Sequence, residues 1–192
     1  MKEARRQQLK RCWSDESAAQ IVEFAISLPL LILFVIGIFD FSNALSLKQK
    51  LTNAAREAAR TAAADSANDL GAPSTAVPES IGDAFQAVDN YLVSEQINDC
   101  GLATAAAPTV VALKWTYAST GSCPGAGITL AIDRGCKTPI TTTSSGTLNL
   151  IGTCITVTYP YKWQFNNVAS VFGWSGAGPS TITVQAGAFN EN

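Results

Sequence analysis

Apolar residues run almost without interruption from Ala18 to Phe39, 22 positions among which Glu23 is the one charged side chain. At ~1.5 Å rise per residue a helix of that length reaches roughly 33 Å, enough to cross a hydrocarbon core of ~30 Å. The pattern predicts a transmembrane helix over residues 19–47. Pro29 does not oppose it, because neighbouring groups in membrane helices accommodate the lost N–H. From Phe39 to Leu70 there is neither Gly nor Pro and Ala recurs throughout. The same helix is therefore expected to continue into water over residues 48–69, ending near Asn68. Leu47, Leu51, Ala54, Ala55, Ala58 and Ala62 form a stripe at helical spacing suited to close packing, while Arg56 and Arg60 lie on the opposite side. Asp40, where the helix would leave the bilayer, reads as a solvated interfacial carboxylate.

Gly71 to Pro78 is rich in breakers, and beyond it Ile81, Phe85, Val88, Tyr91, Leu92 and Ile97 repeat every three to four residues. A second, amphipathic helix is expected over 79–97. The grammar then changes to short β-branched and aromatic runs at 109–117, 127–133, 154–162 and 181–187, several alternating Thr with Val or Ile. Helices first and strands after imply an α+β fold. A roughly four-stranded antiparallel sheet would pack its apolar face on the long helix. The Thr- and Ser-rich stretch from Lys137 to Thr147 reads as a polar surface loop, with recognition as its other possible use. The expected organisation is a basic leader (1–18), the span (19–47), its aqueous extension (48–69) and an extracytoplasmic α/β domain (70–192).

Charge and cysteines add topology. The net charge is −2, there is no His, and five Lys or Arg residues precede the span. That leaves no basic groove for nucleic acid. Cys12 lies before the span, whereas Cys100, Cys123, Cys136 and Cys154 lie after it, an even set that fits disulfides in an oxidising compartment. Four cysteines allow three connectivities. The predicted strand between Cys123 and Cys136 would hold them on the order of 23 Å apart, which favours Cys100–Cys123 with Cys136–Cys154. The long basic-flanked apolar run could also be a secretory signal, but signal h-regions are shorter, ~7–15 residues, and no small-residue cleavage site follows. The chain carries no GxSxG, phosphate-loop or metal-ligand pattern. Neither an enzyme, a cofactor nor a small-molecule substrate is expected.

The basic leader, Asp15-Glu-Ser-Ala-Ala-Gln-Ile-Val-Glu-Phe-Ala25, the Leu-Pro-Leu-Leu run, Gly37-Ile-Phe-Asp-Phe41 and Leu51-Thr-Asn-Ala-Ala-Arg-Glu-Ala-Ala-Arg60 together resemble the TadE-like family. The likeness is strong over residues 10–64. It is weaker at Ile155–Tyr161 and Ala186–Glu191. The resemblance implies a minor, pilin-like component of the tight-adherence (type IVc) pilus system, anchored in the inner membrane with its N-terminus cytoplasmic and the rest outside. It further implies cleavage by a prepilin peptidase and, as partners, other pilin-like subunits and the assembly platform. Carried onto this chain, Ala18 precedes the cut, Ala19 becomes the new N-terminus, and Glu23 and Phe24 follow at positions five and six. Ala18 departs from the family's usual Gly. A carboxylate at the depth of Glu23 is cheapest beside a cation, and a freed α-amine is one. Two other classes share part of this pattern. A bitopic anchor carrying a periplasmic ligand- or partner-binding domain needs the span and disulfides but no cut. A type II secretion pseudopilin keeps the Glu but has an aromatic residue where Ala19 stands.

Overall fold

The first half of the chain is dominated by one helix, α1, Glu16–Ala64, which runs through Pro29 without a break. This computed structural model describes residues 16–66, 70, 77–121, 123, 127–142, 146–170, 173 and 178–190. Most of the leader, with Cys12, therefore lies outside the described residues. α1 stops at Ala64, with Asp65 and Ser66 already non-helical, four residues short of the expected end near Asn68. After it come α2 (Glu79–Ser94), a short 3-10 turn (Leu102–Thr104), strands β1 (Thr109–Val111), β2 (Lys114–Ser119), β3 (Ile128–Thr142) and β4 (Gly146–Pro160), a one-turn helix α3 (Phe165–Ala169), and β5 (Thr181–Phe189). The fold is α+β. Its sheet is an antiparallel meander in the order β1-β2-β3-β4-β5.

Five strands replace the expected four because the run 109–117 folds back on itself. Ala112, at φ 54°, turns the chain so that Val111 pairs with Lys114 and Thr109 with Thr116. The expectation of a surface loop from Lys137 to Thr147 is also corrected. There β3 and β4 extend as a two-stranded ribbon from Cys136↔Gly152 to Thr142↔Gly146. Threonine is polar by composition but β-branched, so a Thr-rich stretch satisfies a pleated ladder as readily as a loop. Pro139 is tolerated because β2 pairs with β3 only as far as Lys114↔Asp133, which leaves this part of β3 with one neighbour.

By contact the chain divides into two units. One comprises residues 1–43 with 163–177, and the other 44–162 with 178–192. α1 is thus shared between the two, and 163–177 group with the N-terminal part. In the larger unit the core is built from three apolar faces. From α1 come Ala44, Leu51, Ala54, Ala55, Ala58, Ala59, Ala62 and Ala63, and from α2 Ile81, Ala84, Val88 and Leu92, all buried. Alternate sheet residues face the same core, with Trp115↔Ile132↔Ile155↔Ala186 and Tyr117↔Leu130↔Val157↔Val184 running across four strands. Each fully buried Leu, Ile or Val contributes about 1.5–3 kcal/mol of transfer free energy, so these rows hold the unit together. Phe85 of α2 stacks on Tyr117 with ring centroids 4.5 Å apart, and Lys50 of α1 meets Glu95 at 3.0 Å. The outer face is polar, and the Thr158 and Thr183 hydroxyls pair across it at 3.2 Å.

α2 stops three residues before the expected Ile97. Gln96, at φ 55°, donates its N–H to Val93 O, and Ile97 donates to Leu92 O. This is a Schellman ending, with Gln in the left-handed position that Gly usually takes.

Candidate functional site

The residues singled out for processing and assembly lie at the start of α1. Ala18 and Ala19 belong to its first turn, and Ala19, Glu23 and Phe24 are exposed, Phe24 at 62%. The helix forms here because only Pro29 interrupts a run of good formers. That proline removes the N–H that would bond the Ala25 carbonyl, while Ser27 turns its hydroxyl back onto Phe24 O at 3.2 Å. Ile21, Val22, Ile26, Leu30, Leu31, Phe34, Ile38 and Phe39 are all exposed. The helix is long and apolar enough to cross a membrane, and none of its most apolar window is buried by the protein. A surface of this kind carries helix association or lipid contact rather than chemistry. Among the described residues, no cation pairs with Glu23.

Further along α1 the structure overturns one expectation. Asp40 is 3% exposed, not solvated. Its Oδ2 accepts the backbone N–H of Phe165 at 3.0 Å, at the first residue of α3. Three residues before Asp40, Gly37 lies against the Phe165 ring at a distance that would still admit a Cβ. A Cβ at Gly37 would stand 3.6 Å from the ring's Cδ2. No local signal in the sequence announces a partner 125 residues away; the cue was the length and aromatic content of the segment between the last two strands.

The four distal cysteines are joined as Cys100–Cys123 and Cys136–Cys154. The first ties the end of the α2 connection to the β2–β3 loop, beside Ser119, whose hydroxyl donates to Cys100 O at 2.7 Å. Tyr159 donates its hydroxyl to Asn98 O at 2.9 Å nearby, and burial pushes its phenol pKa up, aided by the Asp99 carboxylate. The second bridge spans a register shift between Asp133 and Cys136 at the root of the ribbon. An open depression of about 200 Å³ beside it is lined by Gly152, Thr153, Cys154, Gly187, Ala188 and Phe189. Among the described residues no three His, Cys, Asp or Glu side chains gather as a metal site.

Residues 18–60 match the TadE-like protein family. The matched segment covers the residues that carry the resemblance along α1, including Ala18, Glu23 and Asp40. No curated protein and no solved structure matches the chain. The TadE-like segment is thus the apolar, exposed half of α1 together with most of the half that is buried in the larger unit.

Proposed function

We propose that this chain is a non-enzymatic, pilin-like membrane protein of a tight-adherence (type IVc) pilus, serving as a minor pilin or assembly factor in adhesion. One observation carries the reading. A single unbroken helix is apolar and exposed in its first half, buried by small residues in its second, and coincides with the TadE-like match. Such a helix serves both as an anchor before assembly and as a packing surface afterwards. In this reading the leader is cytoplasmic, the domain after α1 lies outside the inner membrane, and a prepilin peptidase cuts between Ala18 and Ala19. The partners are then that protease, other pilin-like subunits and the assembly platform.

The test is the intact mass of the protein extracted from membranes, together with piliation in a strain lacking it. A chain beginning at Ala19 and loss of pili on deletion are expected. A chain that retains the leader, with piliation unchanged on deletion, would make a bitopic anchored domain the better account.

A further inference from the structure

β4 ends at Pro160 and its antiparallel neighbour β5 begins at Thr181, and the ladder closes with Tyr161 donating its N–H to Ser180 O at 2.9 Å. Adjacent antiparallel strands need only ~2–5 connecting residues. The 20 residues from 161 to 180 exceed that several-fold, so the sheet does not explain the length of the connection. Its composition is not that of a solvated loop: Trp163, Phe165, Val168, Val171, Phe172 and Trp174 fall within twelve positions that hold no charged residue.

The excursion belongs to the same unit as the exposed, apolar half of α1. The Phe165 ring lies over Gly37, and the Phe165 N–H caps the Asp40 carboxylate. Around that contact α1 shows Phe34, Ile38, Phe39 and Phe41 outward, each more than half exposed. Gly37 to Asp40 is about 4.5 Å of helix, and it is where the apolar run ends. α3 therefore stands at the depth at which α1 passes from hydrocarbon into headgroups, a zone roughly 5–7 Å thick on each side.

We propose that the segment 163–170, α3 with the residues just before and after it, is a second membrane-contacting element, seated in the phospholipid headgroup region of the outer leaflet against α1. The inference rests on α1 crossing the bilayer, and not on any step of pilus assembly. Three observations converge on lipid as the occupant. Trp and Tyr partition to the membrane interface, where an amphipathic ring meets both apolar and wet surroundings. Phe165 of α3 touches α1 at Gly37 and Asp40, beside the half of the helix that is itself apolar and exposed. Asp40, which would be costly near hydrocarbon as a bare carboxylate, is covered and hydrogen-bonded by this very segment. The contact also fixes how far the helix can slide through the bilayer, because Phe165 and Asp40 hold the interfacial segment at one turn of α1.

The experiment uses the full chain with Cys12→Ser and the disulfide cysteines intact, spin-labelled at Ser170→Cys and reconstituted in phosphatidylglycerol-containing vesicles. Collision rates with dissolved oxygen, which concentrates in lipid, and with a water-soluble nickel chelate are compared with labels at Phe34→Cys in α1 and Thr183→Cys on the outer face of β5. The oxygen-to-nickel ratio at Ser170 should be several-fold above that at Thr183 and below that at Phe34. A Ser170 ratio equal to that of Thr183, with Phe34 still in lipid, would place the segment 163–170 in water and overturn the proposal. Shielding of Ser170 from both reagents, with dipolar broadening that disappears on dilution with unlabelled chain, would assign the surface to a neighbouring copy and overturn it as well. If Phe34 itself reads as water, it is the span that fails.

Discussion

Arg134 places its Nη2 3.1 Å from the carbonyl oxygen of Asp65, the residue immediately after the last one of α1. The guanidinium is 1% exposed and also donates from Nη1 to Thr153 Oγ1 at 3.2 Å, and Thr153 in turn donates to Asn190 Oδ1 at 2.7 Å. A buried cation thus meets the negative end of the long helix and ties it to β3, β4 and the chain after β5. Cations at helix C-termini are favourable, up to ~2 kcal/mol in partly buried geometries.

Removing this cap should destabilise the larger unit without touching the membrane half. Arg134→Met keeps much of the volume but leaves the Asp65 carbonyl and Thr153 hydroxyl without their donor, at about 1–3 kcal/mol. Arg134→Lys keeps the charge but not the fork, and should lose less. Thermal unfolding of the full chain in detergent, followed by near-ultraviolet circular dichroism, should rank wild type above Lys and Lys above Met. Equal midpoints for wild type and Met would mean that the network contributes nothing.

Asp89 on α2 is the group for a pH experiment. Burial raises its pKa above the ordinary carboxylate value, and the Asp99 carboxylate raises it further. Its Oδ1 is buried without a hydrogen-bond partner. Because the folded state holds this proton more tightly than the unfolded chain, stability is greatest below the unfolded pKa of ~3.9 and declines as pH rises through the elevated folded value. Asp89→Asn should therefore be more stable than wild type at neutral pH, and the difference should vanish as the wild-type carboxylate protonates in acid. A constant difference at every pH would assign the effect to packing instead.

The cysteine pairs make a separate, chemical prediction. Non-reducing peptide mapping should recover Cys100 with Cys123 and Cys136 with Cys154, bridges of sequence separation 23 and 18. In the chain-entropy model each contributes ~3 kcal/mol. Replacing either pair by Ser should lower the unfolding midpoint while leaving membrane insertion unchanged. Recovery of a Cys123–Cys136 peptide is the result that would contradict the fold around β3.

What could be read from the sequence were features with local causes. The apolar run, the absence of breakers from Phe39 to Leu70 and the Ala stripe specify α1 through propensity and period, and Thr/Val alternation specifies the strands. Leu47 is half-buried rather than buried, and Ala59 and Ala63 join the stripe, a small rotation of the expected face. The features not legible depend on distant partners. Asp40 looks like any interfacial carboxylate until Phe165 covers it, and Arg134 like any strand residue until the end of α1 is brought beside it. The ribbon was hidden for another reason: a Ser/Thr-rich composition fits a loop and a two-stranded arm equally well.

Topology can be checked without the structure. Five basic residues before the span and four cysteines after it predict a cytoplasmic leader and an external domain. A reporter active only outside the cytoplasm and fused after Asn192 should be active. A stably expressed but silent fusion would reverse the orientation.

Glu23→Gln separates assembly from anchoring. Glu23 is exposed on an apolar helix surface, and a carboxylate entering hydrocarbon there needs a cation. In the pilin-like reading that cation is the α-amine of Ala19, freed by cleavage, on a neighbouring subunit's helix. Gln keeps the length and shape but removes the charge, so insertion should persist or improve. Helix–helix association should suffer, because the pairing that compensates a desolvated carboxylate is gone. The variant is therefore expected at normal levels in the membrane, in a strain that no longer forms pili. Ala18→Gly, which restores the usual residue before the cut, should preserve or speed processing. Normal piliation in the Glu23→Gln strain, with the leader still present on the wild-type chain, would remove the assembly role of Glu23 and leave α1 as an anchor alone.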